Sequence, residues 1–357
     1  MLFLWLLISC SPHGGDASPI SCYNDRGEAT DWFYMYKLPK EHGTASGLRY
    51  FLLDRGGADW APGQGDINDT SGALGRTLGQ LYTQKTEVAY ILYNDQEPQP
   101  PPLRPIHHRG GHTKGVLLLD TTQGFWLIHS TPYFPASPRA MGGYSYPDSG
   151  VHYGQNFLCV TFPLKSFQTI GEQLQINQPN VYSCDVPPSF AAAVPALAAA
   201  CHKNGTWVPP ANRSVALTSV GGTRFVDFAK GAAFNDDLYH SWVAPALRSD
   251  LLVQYWNRSG GILPSDCSLG WKVLGVTRVS PSGSPAYNHT KDHSKWAVSL
   301  GPAVFDSEGG GWLCVGDINR NRAEEKRGGG TLCQRDAAVW KAYRTAAVDF
   351  QPCGSAS

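Results

Sequence analysis

The chain carries no net charge. Its 29 Lys and Arg offset 29 Asp and Glu, and the pI is about 7.1. Domains that hold nucleic acid at neutral pH are usually basic, so a generic neutral-pH DNA binder is disfavoured. Long apolar runs are also missing. MLFLWLLIS at the start and SFAAAVPALAAAC at 189–201 fall short of the roughly 20 residues that cross a bilayer, and Pro195 interrupts the second. No membrane span is expected, and 189–201 reads as a surface helix. No Cys-x-x-Cys pair exists and the spacings do not suit a zinc finger, so a structural zinc module is a poor reading. No cluster of Asp and Glu flanks the motifs described below, which disfavours metal assistance. No metal and no cofactor are expected. RGGG at 327–330 lacks the Lys-Ser/Thr of a phosphate loop and reads as a turn.

What is present points to the secretory route. The apolar start, followed by Pro12, Gly14, Gly15 and Ala17, reads as a signal peptide over 1–19, cleaved near 17–20, although no basic residue precedes the run. Losing Cys10 with it leaves eight cysteines, an even number that fits disulfides; spacing alone does not choose the pairs. Five sequons, at Asn68, Asn204, Asn212, Asn257 and Asn288, are expected to carry glycans. Eleven histidines charge as pH falls through about 6.5, so the neutral chain becomes cationic in acid. Polyanion binding would then be promoted by low pH. Together these features favour the lysosome, with secretion as a second destination.

Two copies of His-x-Lys carry the chemistry: His112 and Lys114 in GHTKGVLLLD, and His293 and Lys295 in DHSKWAVSL. In a strand, residues i and i+2 share a face. One imidazole can attack phosphorus while a second protonates the leaving oxygen. Two lysines can hold the non-bridging oxygens. Each copy leads into an apolar strand, a turn and an aromatic-rich strand, GFWLIHS at 124–130 and GGWLCVGDIN at 310–319, the mark of a faint internal repeat. A third copy, His289-Thr290-Lys291, begins beside a sequon and reads as an accident.

Other elements follow from pattern. Strands are expected at 87–95, 116–120, 125–130, 157–163 and 272–280. Helices are expected at 72–84, at 234–256 with a break at Pro245, and at 337–348. The Pro-rich loop 98–111 holds His107, His108 and Arg109; Arg109 is a candidate contact to phosphate, though an exposed loop residue is the plainer reading. Of the 11 tryptophans most belong to the core, with Trp126 and Trp296 as candidates for stacking on bases.

From Cys22 to Cys353 the chain resembles the deoxyribonuclease II family. DWFYMYKLP at 31–39, YILYNDQEPQP at 90–100, DDLYHSW at 236–242, ILPSDCS at 262–268, VGDINR at 315–320 and RGGGTLC at 327–333 join the motifs above in carrying the likeness. PNVYSCDVPPSF, 179–190, looks closer to the beta type than to the alpha type. The resemblance implies an α/β (α+β) fold similar to phospholipase D: a pseudo-dimer of two related sheet-and-helix halves, 20–175 and 176–357, with one active site between them. It implies an acid endonuclease that cleaves double-stranded DNA without divalent metal. That enzyme leaves 3′-phosphate and 5′-hydroxyl ends through a covalent phosphohistidine. DNA is the implied partner, and a homodimer fits the family. His112, Lys114, His293 and Lys295 fall on its active-site positions. His129 matches a histidine linked to activity, and Asn319 a phosphate-contacting position. The implied disulfides are Cys22–Cys159, Cys184–Cys201, Cys267–Cys353 and Cys314–Cys333.

Two departures are visible. The Asp that the phospholipase D pattern places five residues after each Lys is absent: Leu119 and Leu300 stand there, and Asp120 is one place off. Ala297 replaces the Cys that usually follows DHSKW. The alternatives are a lumenal phosphodiesterase acting on lipid or RNA, and an inactive glycoprotein that only binds DNA.

Overall fold

The computed structural model describes residues 18–40, 46–83, 87–98, 110–140, 142–203, 208–302 and 310–354. Arg109, Asn204 and all but the last two residues of the expected signal peptide lie outside them. A short ribbon, β1 (Cys22–Tyr23) with β2 (Ala29–Thr30), precedes two sheets. The first sheet holds β3 (Trp32–Lys37), β4 (Tyr50–Asp54), β5 (Ala61–Pro62), β6 (Ala89–Asn94), β7 (Lys114–Leu119), β8 (Gln123–His129), β9 (Gln155–Pro163) and β10 (Val181–Asp185), in spatial order β10-β6-β7-β8-β9-β3-β4-β5. The second holds β11 (Asn212–Thr218), β12 (Arg224–Lys230), β13 (Leu251–Gln254), β14 (Val273–Val279), β15 (Tyr287–Asn288), β16 (Trp296–Ser299), β17 (Gly311–Gly316) and β18 (Gly329–Asp336), in order β11-β12-β18-β17-β16-β13-β14-β15, with β19 (Ala347–Phe350) on β14.

Five strands recur in the same antiparallel order. β6-β7-β8-β9-β3 in one sheet corresponds to β13-β16-β17-β18-β12 in the other. Each His-x-Lys leads into the second strand of its set. The expected hairpins are present as β7–β8 and β16–β17. The strands begin later than the motif spacing implies: Lys114 is the first residue of β7, and Lys295 precedes β16. Both histidines therefore sit at strand entrances.

The sheets face each other across one apolar core. Trp32, Tyr34 and Tyr36 of β3 meet Trp296 of β16 and Tyr343 of the last helix there. Alternation along the strands explains the layering. In β7, Leu117 and Leu119 enter this shared core, while Val116 and Leu118 face a second one. That second core is closed by α1 (Ala73–Tyr82), which buries Leu74, Leu78 and Leu81 at helical spacing. A third core lies on the far side of the second sheet. α2 (Ser166–Asn177), α3 (Pro188–Ala193) and α4 (Pro195–His202) pack into the shared core.

Four expectations change. Residues 189–201 form two helices, α3 and α4, instead of one; they meet at Val194–Pro195 and lie at the surface, burying Phe190, Val194 and Leu197 while Ser189, Ala192, Ala193 and Pro195 stay exposed. The helix expected at 234–256 is a π turn, Tyr239–Val243, continued by α5 (Ala244–Leu247). It stops at Arg248, which adopts a left-handed φ of 51°, and Leu251–Gln254 then runs as a buried strand between β14 and β16. A four-residue apolar run in the centre of a sheet has no amphipathic signal to separate it from helix. Trp126 and Trp296 are not available for stacking on bases. Trp126 is 3% exposed and donates to Tyr93; Trp296 is 0% exposed and donates to Tyr36 and Ser294.

The four disulfides pair Cys22–Cys159, Cys184–Cys201, Cys267–Cys353 and Cys314–Cys333. The first closes a 137-residue separation, worth roughly 5 kcal/mol of chain entropy in the unfolded state. Ala297 lies directly across from Cys314 in the sheet, fully buried. Asn68 and Asn288 are exposed, Asn212 is half-buried on β11, and Asn257 is half-buried with its amide nitrogen 2.6 Å from His289 Nε2. Among the described residues no helix is long and apolar enough to cross a membrane.

Asp227 on β12 ties the second sheet to α2 by accepting from Gln173 Nε2 at 2.8 Å. Burial pushes its carboxyl up to about 7 from 3.8. The fold thus favours the protonated acid, and this stabilisation is complete below 3.8 and lost as pH rises towards about 7. Asp227→Asn is neutral throughout. The wild-type melting temperature, measured against that variant, should fall steadily from about pH 4 to about pH 7; a constant difference would show that Asp227 is ionised in the fold throughout.

Candidate active site

The entrances of β7 and β16 meet, and each is held by the opposite half. The Lys114 backbone N–H donates to Asp317 Oδ2 (3.0 Å), just past β17. The Lys295 backbone N–H donates to Asn156 Oδ1 (3.0 Å) on β9, and Asn156 Nδ2 returns a bond to the Lys295 carbonyl (3.1 Å). The histidines are crossed in the same way. His112 Nδ1 lies 2.7 Å from Glu324 Oε1 in the second half. His293 Nδ1 lies 2.8 Å from the Ser130 carbonyl in the first. A carbonyl only accepts, so His293 carries its hydrogen on Nδ1 and presents Nε2. An ionised Glu324 imposes the same tautomer on His112.

Local sequence builds each support. Asn321 caps α6 (Arg322–Glu325) by accepting from Ala323 and Glu324, and Lys230 Nζ binds the carbonyls of Glu324, Glu325 and Arg327 at 2.7–2.9 Å. A four-residue helix capped at both ends holds Glu324 still. RGGG at 327–330, expected as a turn, runs straight into β18 at Gly329 and serves the same region. The His112 N–H donates to the Gly328 carbonyl (2.8 Å), and a Cβ on Gly111 or Gly328 would stand about 2 Å from the Asn177 carbonyl oxygen. Only glycine permits that approach. On the other side, Asp292 of DHSKW accepts from the Ser294 backbone (2.9 Å) and Tyr36 Oη (2.5 Å). The His293 N–H donates to the Gly154 carbonyl (2.8 Å).

The site is crowded with charge and nearly dry. Lys114 is 0% and Lys295 1% exposed. Asp95 ion-pairs with Lys114, lies 3.7 Å from His112 Nε2, and meets Arg327 at 3.3 Å. Burial works against the Asp95 charge, yet His112, Lys114 and Arg327 together hold its carboxyl well below the usual range. Burial lowers His112, with Asp95 and Glu324 partly offsetting it. His293 is lowered well below 6.5 by burial and then by Lys295, Lys114 and His112, so the two histidines act on one another. Burial, reinforced by Lys114, also depresses Lys295. Asp317 is pushed up to about 7 by burial and is protonated in acid. Lys295 Nζ rests 2.7 Å from the His293 carbonyl and 3.1 Å from its Nε2. Buried polar atoms without a partner gather here: Gln155 Nε2, Asp317 Oδ1 and Glu324 Oε2. Gln155 Nε2 can donate to an oxygen of a guest, as can the Asp317 carboxyl once protonated, whereas Glu324 Oε2 can only accept.

The structure thus brings His112, Lys114, His293 and Lys295 together. His129 is fully buried, accepts from the Thr131 N–H (3.2 Å), and contacts Phe134 and Phe157; burial and the Lys114 charge lower it to about 3. Because Nδ1 accepts, the ring hydrogen sits on Nε2, a buried donor with no partner among the described residues, close enough to Lys114 to feel its charge. Asn319 Oδ1 accepts from the Trp256 N–H (3.2 Å), beside His293. Leu119 is core, and Asp120 caps a turn and accepts from Ile20. His289 of the third copy lies in a short 3-10 turn. Asp95, Asp317, Glu324 and Arg327 were not named from sequence. YND and VGDINR, already distinctive stretches, were the available signal for the two aspartates.

A deoxyribonuclease II family profile matches residues 21–353. The chain is similar to deoxyribonuclease-2-alpha of Sus scrofa, 46% identical over 94% of this chain and 91% of that protein. It is 45% identical to deoxyribonuclease-2-alpha of Rattus norvegicus, over 94% and 95%. To deoxyribonuclease-2-beta of Homo sapiens it is 36% identical, over 94% and 92%. Over the whole chain, identity is higher to these alpha-type proteins than to the beta-type one.

Because Glu324 raises His112, its removal has a defined sign. In Glu324→Gln the His112 imidazole, followed by nitrogen NMR, should titrate at lower pH than in the wild type and lose its fixed Nδ1–H tautomer. An unchanged titration would show that Glu324 does not govern this ring.

Proposed function

The chain belongs to the deoxyribonuclease II family, and from that membership we propose that it is an acid endodeoxyribonuclease that cleaves double-stranded DNA without a divalent metal. The observation that carries this reading is the crossed support of two imidazoles and two lysines in one buried cleft. One histidine attacks phosphorus through Nε2 and the bond to the 5′-oxygen breaks. The other histidine gives its proton to that oxygen. The 3′-side fragment stays on the enzyme as a phosphohistidine. Water, deprotonated by the second histidine, then releases a 3′-phosphate. Lys114 and Lys295 hold the non-bridging oxygens and offset charge in the transition state, the role a metal has elsewhere. Glu324 steadies positive charge on His112, whether the ring is protonated or phosphorylated.

Acid dependence follows from the same burial. One imidazole must carry a proton before reaction, and both are lowered from 6.5. The donor is loaded only in acid, so kcat/KM should fall as pH rises through a value below 6.5. This suits a lysosomal role in DNA degradation, with glycosylation and secretion as parts of the same route. We also propose the two halves, about 20–175 and 176–357, as related units, and a homodimer as compatible with them. Lipid or RNA phosphodiesters remain the alternative substrates, and a binder without catalysis the alternative class.

Supercoiled plasmid in excess EDTA separates these. The protein should nick and linearise it at about pH 5 and leave it intact at about pH 7.5. His112→Ala and His293→Ala should each lose at least about a thousandfold in rate. Cleavage that persists in both variants, or that requires added metal, would overturn the reading.

A further inference from the structure

Beside His293, and outside the groups used above, three side chains form a platform. The Trp256 ring meets the His293 ring edge-on, with centroids 5.0 Å apart. Tyr153 meets Trp256 at 4.7 Å. The Arg258 guanidinium lies 5.8 Å from the Tyr153 ring and 5.6 Å from the Trp256 ring, and donates to Tyr153 Oη at 2.8 Å. Neither aromatic belongs to any of the three apolar cores. Both are half-buried, and Arg258 is exposed.

The platform is built from both halves and fixed to the reactive ring. Tyr153 precedes Gly154, whose carbonyl accepts from the His293 N–H at 2.8 Å and whose N–H donates to Lys291 at 2.9 Å. Trp256 follows β13, and its N–H donates to Asn319 Oδ1. Two loops are thereby held at a set distance from Nε2. A structural purpose for the pair would place it in a core. Here two partly exposed rings, with a guanidinium over them, stand beside the two lysines and two histidines instead. That combination suits a ligand with a flat π system next to a phosphate.

We propose that Tyr153, Trp256 and Arg258 form a subsite for the base of the nucleotide that adjoins the scissile phosphate on the His293 side, with Arg258 facing the sugar-phosphate beyond it. The inference rests on the nuclease reading above. It assigns base contact to Trp256, which stands at the cleft, and not to the buried Trp126 and Trp296. Recognition is by stacking on a base that has left the duplex stack, so it tolerates any base while requiring that one be present.

The test uses the intact protein and a short oligonucleotide with a single hydrolysable linkage. The nucleotide on each side of that linkage is supplied in turn with its base or as an abasic residue. In the wild type, kcat/KM should fall about tenfold when the base on one flank is removed, the scale expected for a lost stacking contact. In Trp256→Ala that ratio should collapse to about one, while Trp256→Phe should retain most of it. Tyr153→Ala removes the half contributed by the other loop and should reduce the ratio as well, which keeps the test valid if Trp256→Ala fails to fold. The flank that responds identifies which side of the phosphate faces His293. A wild type indifferent to both flanks, or a ratio preserved in Trp256→Ala and Tyr153→Ala, would overturn the subsite while leaving the nuclease reading intact. Failure of the wild type to cleave any of these oligonucleotides would overturn the nuclease reading and this inference with it.

Discussion

Everything in the cleft depends on backbone and imidazole hydrogen bonds that cross from one half to the other. Asp317 holds Lys114, Asn156 holds Lys295, Glu324 holds His112, and Ser130 holds His293. None of these supports lies on the same His-x-Lys unit that it serves. A single half would expose one lysine and one imidazole of the site with no fixed tautomer and no fixed rotamer. The shared apolar core, from Trp32 to Tyr343, is what brings the supports into reach. Stability and catalysis are therefore coupled at the interface between the sheets.

The cost of this arrangement is electrostatic. Taking lysines and histidines out of water disfavours their charged forms, and a second lysine nearby adds to it. The protein offsets part of that cost with Asp95 and Glu324, carboxylates that Arg327 helps keep ionised beside His112. Among the described residues no carboxylate bonds the His293 ring, whose Nδ1 meets the Ser130 carbonyl and Gln155 Oε1 and lies 3.1 Å from Lys295 Nζ. The two rings are thus unlike although their motifs are alike. A phosphate would relieve the repulsion between Lys114 and Lys295, so the guest supplies the missing anion. Lower pH acts in the same direction, through protonation of the rings and of Asp317.

Much of this was legible in the residues. The two His-x-Lys units, the hairpins that follow them, α1 and the last helix, α7 (Ala337–Ala346), are local patterns, and local patterns survive in a sequence. The supports are not local. Glu324 lies 212 residues from His112, and Asp317 lies 203 from Lys114. Nothing in either segment marks the pairing, because a hydrogen bond across a fold leaves no periodicity. With Leu119 and Leu300 where that Asp would stand, the sequence assigns no orienting carboxylate, and Glu324 carries no local mark that would supply one. Tryptophan misled for a physical reason. Trp126 and Trp296 adjoin reactive motifs in sequence, but strand alternation turns them into the shared core. Trp256, with no motif beside it, reaches the cleft from a loop.

The most direct measurement is capture of the covalent intermediate. Single turnovers on DNA, quenched in alkali to preserve phosphohistidine and mapped by mass spectrometry, should find the 3′-phosphoryl fragment on His112 or His293. Its yield should rise when the partner histidine, which activates water, is replaced while a good leaving group removes the need for its acid. An adduct on any other residue, or cleavage without a covalent species on either ring, would contradict the two-imidazole site on which this account stands.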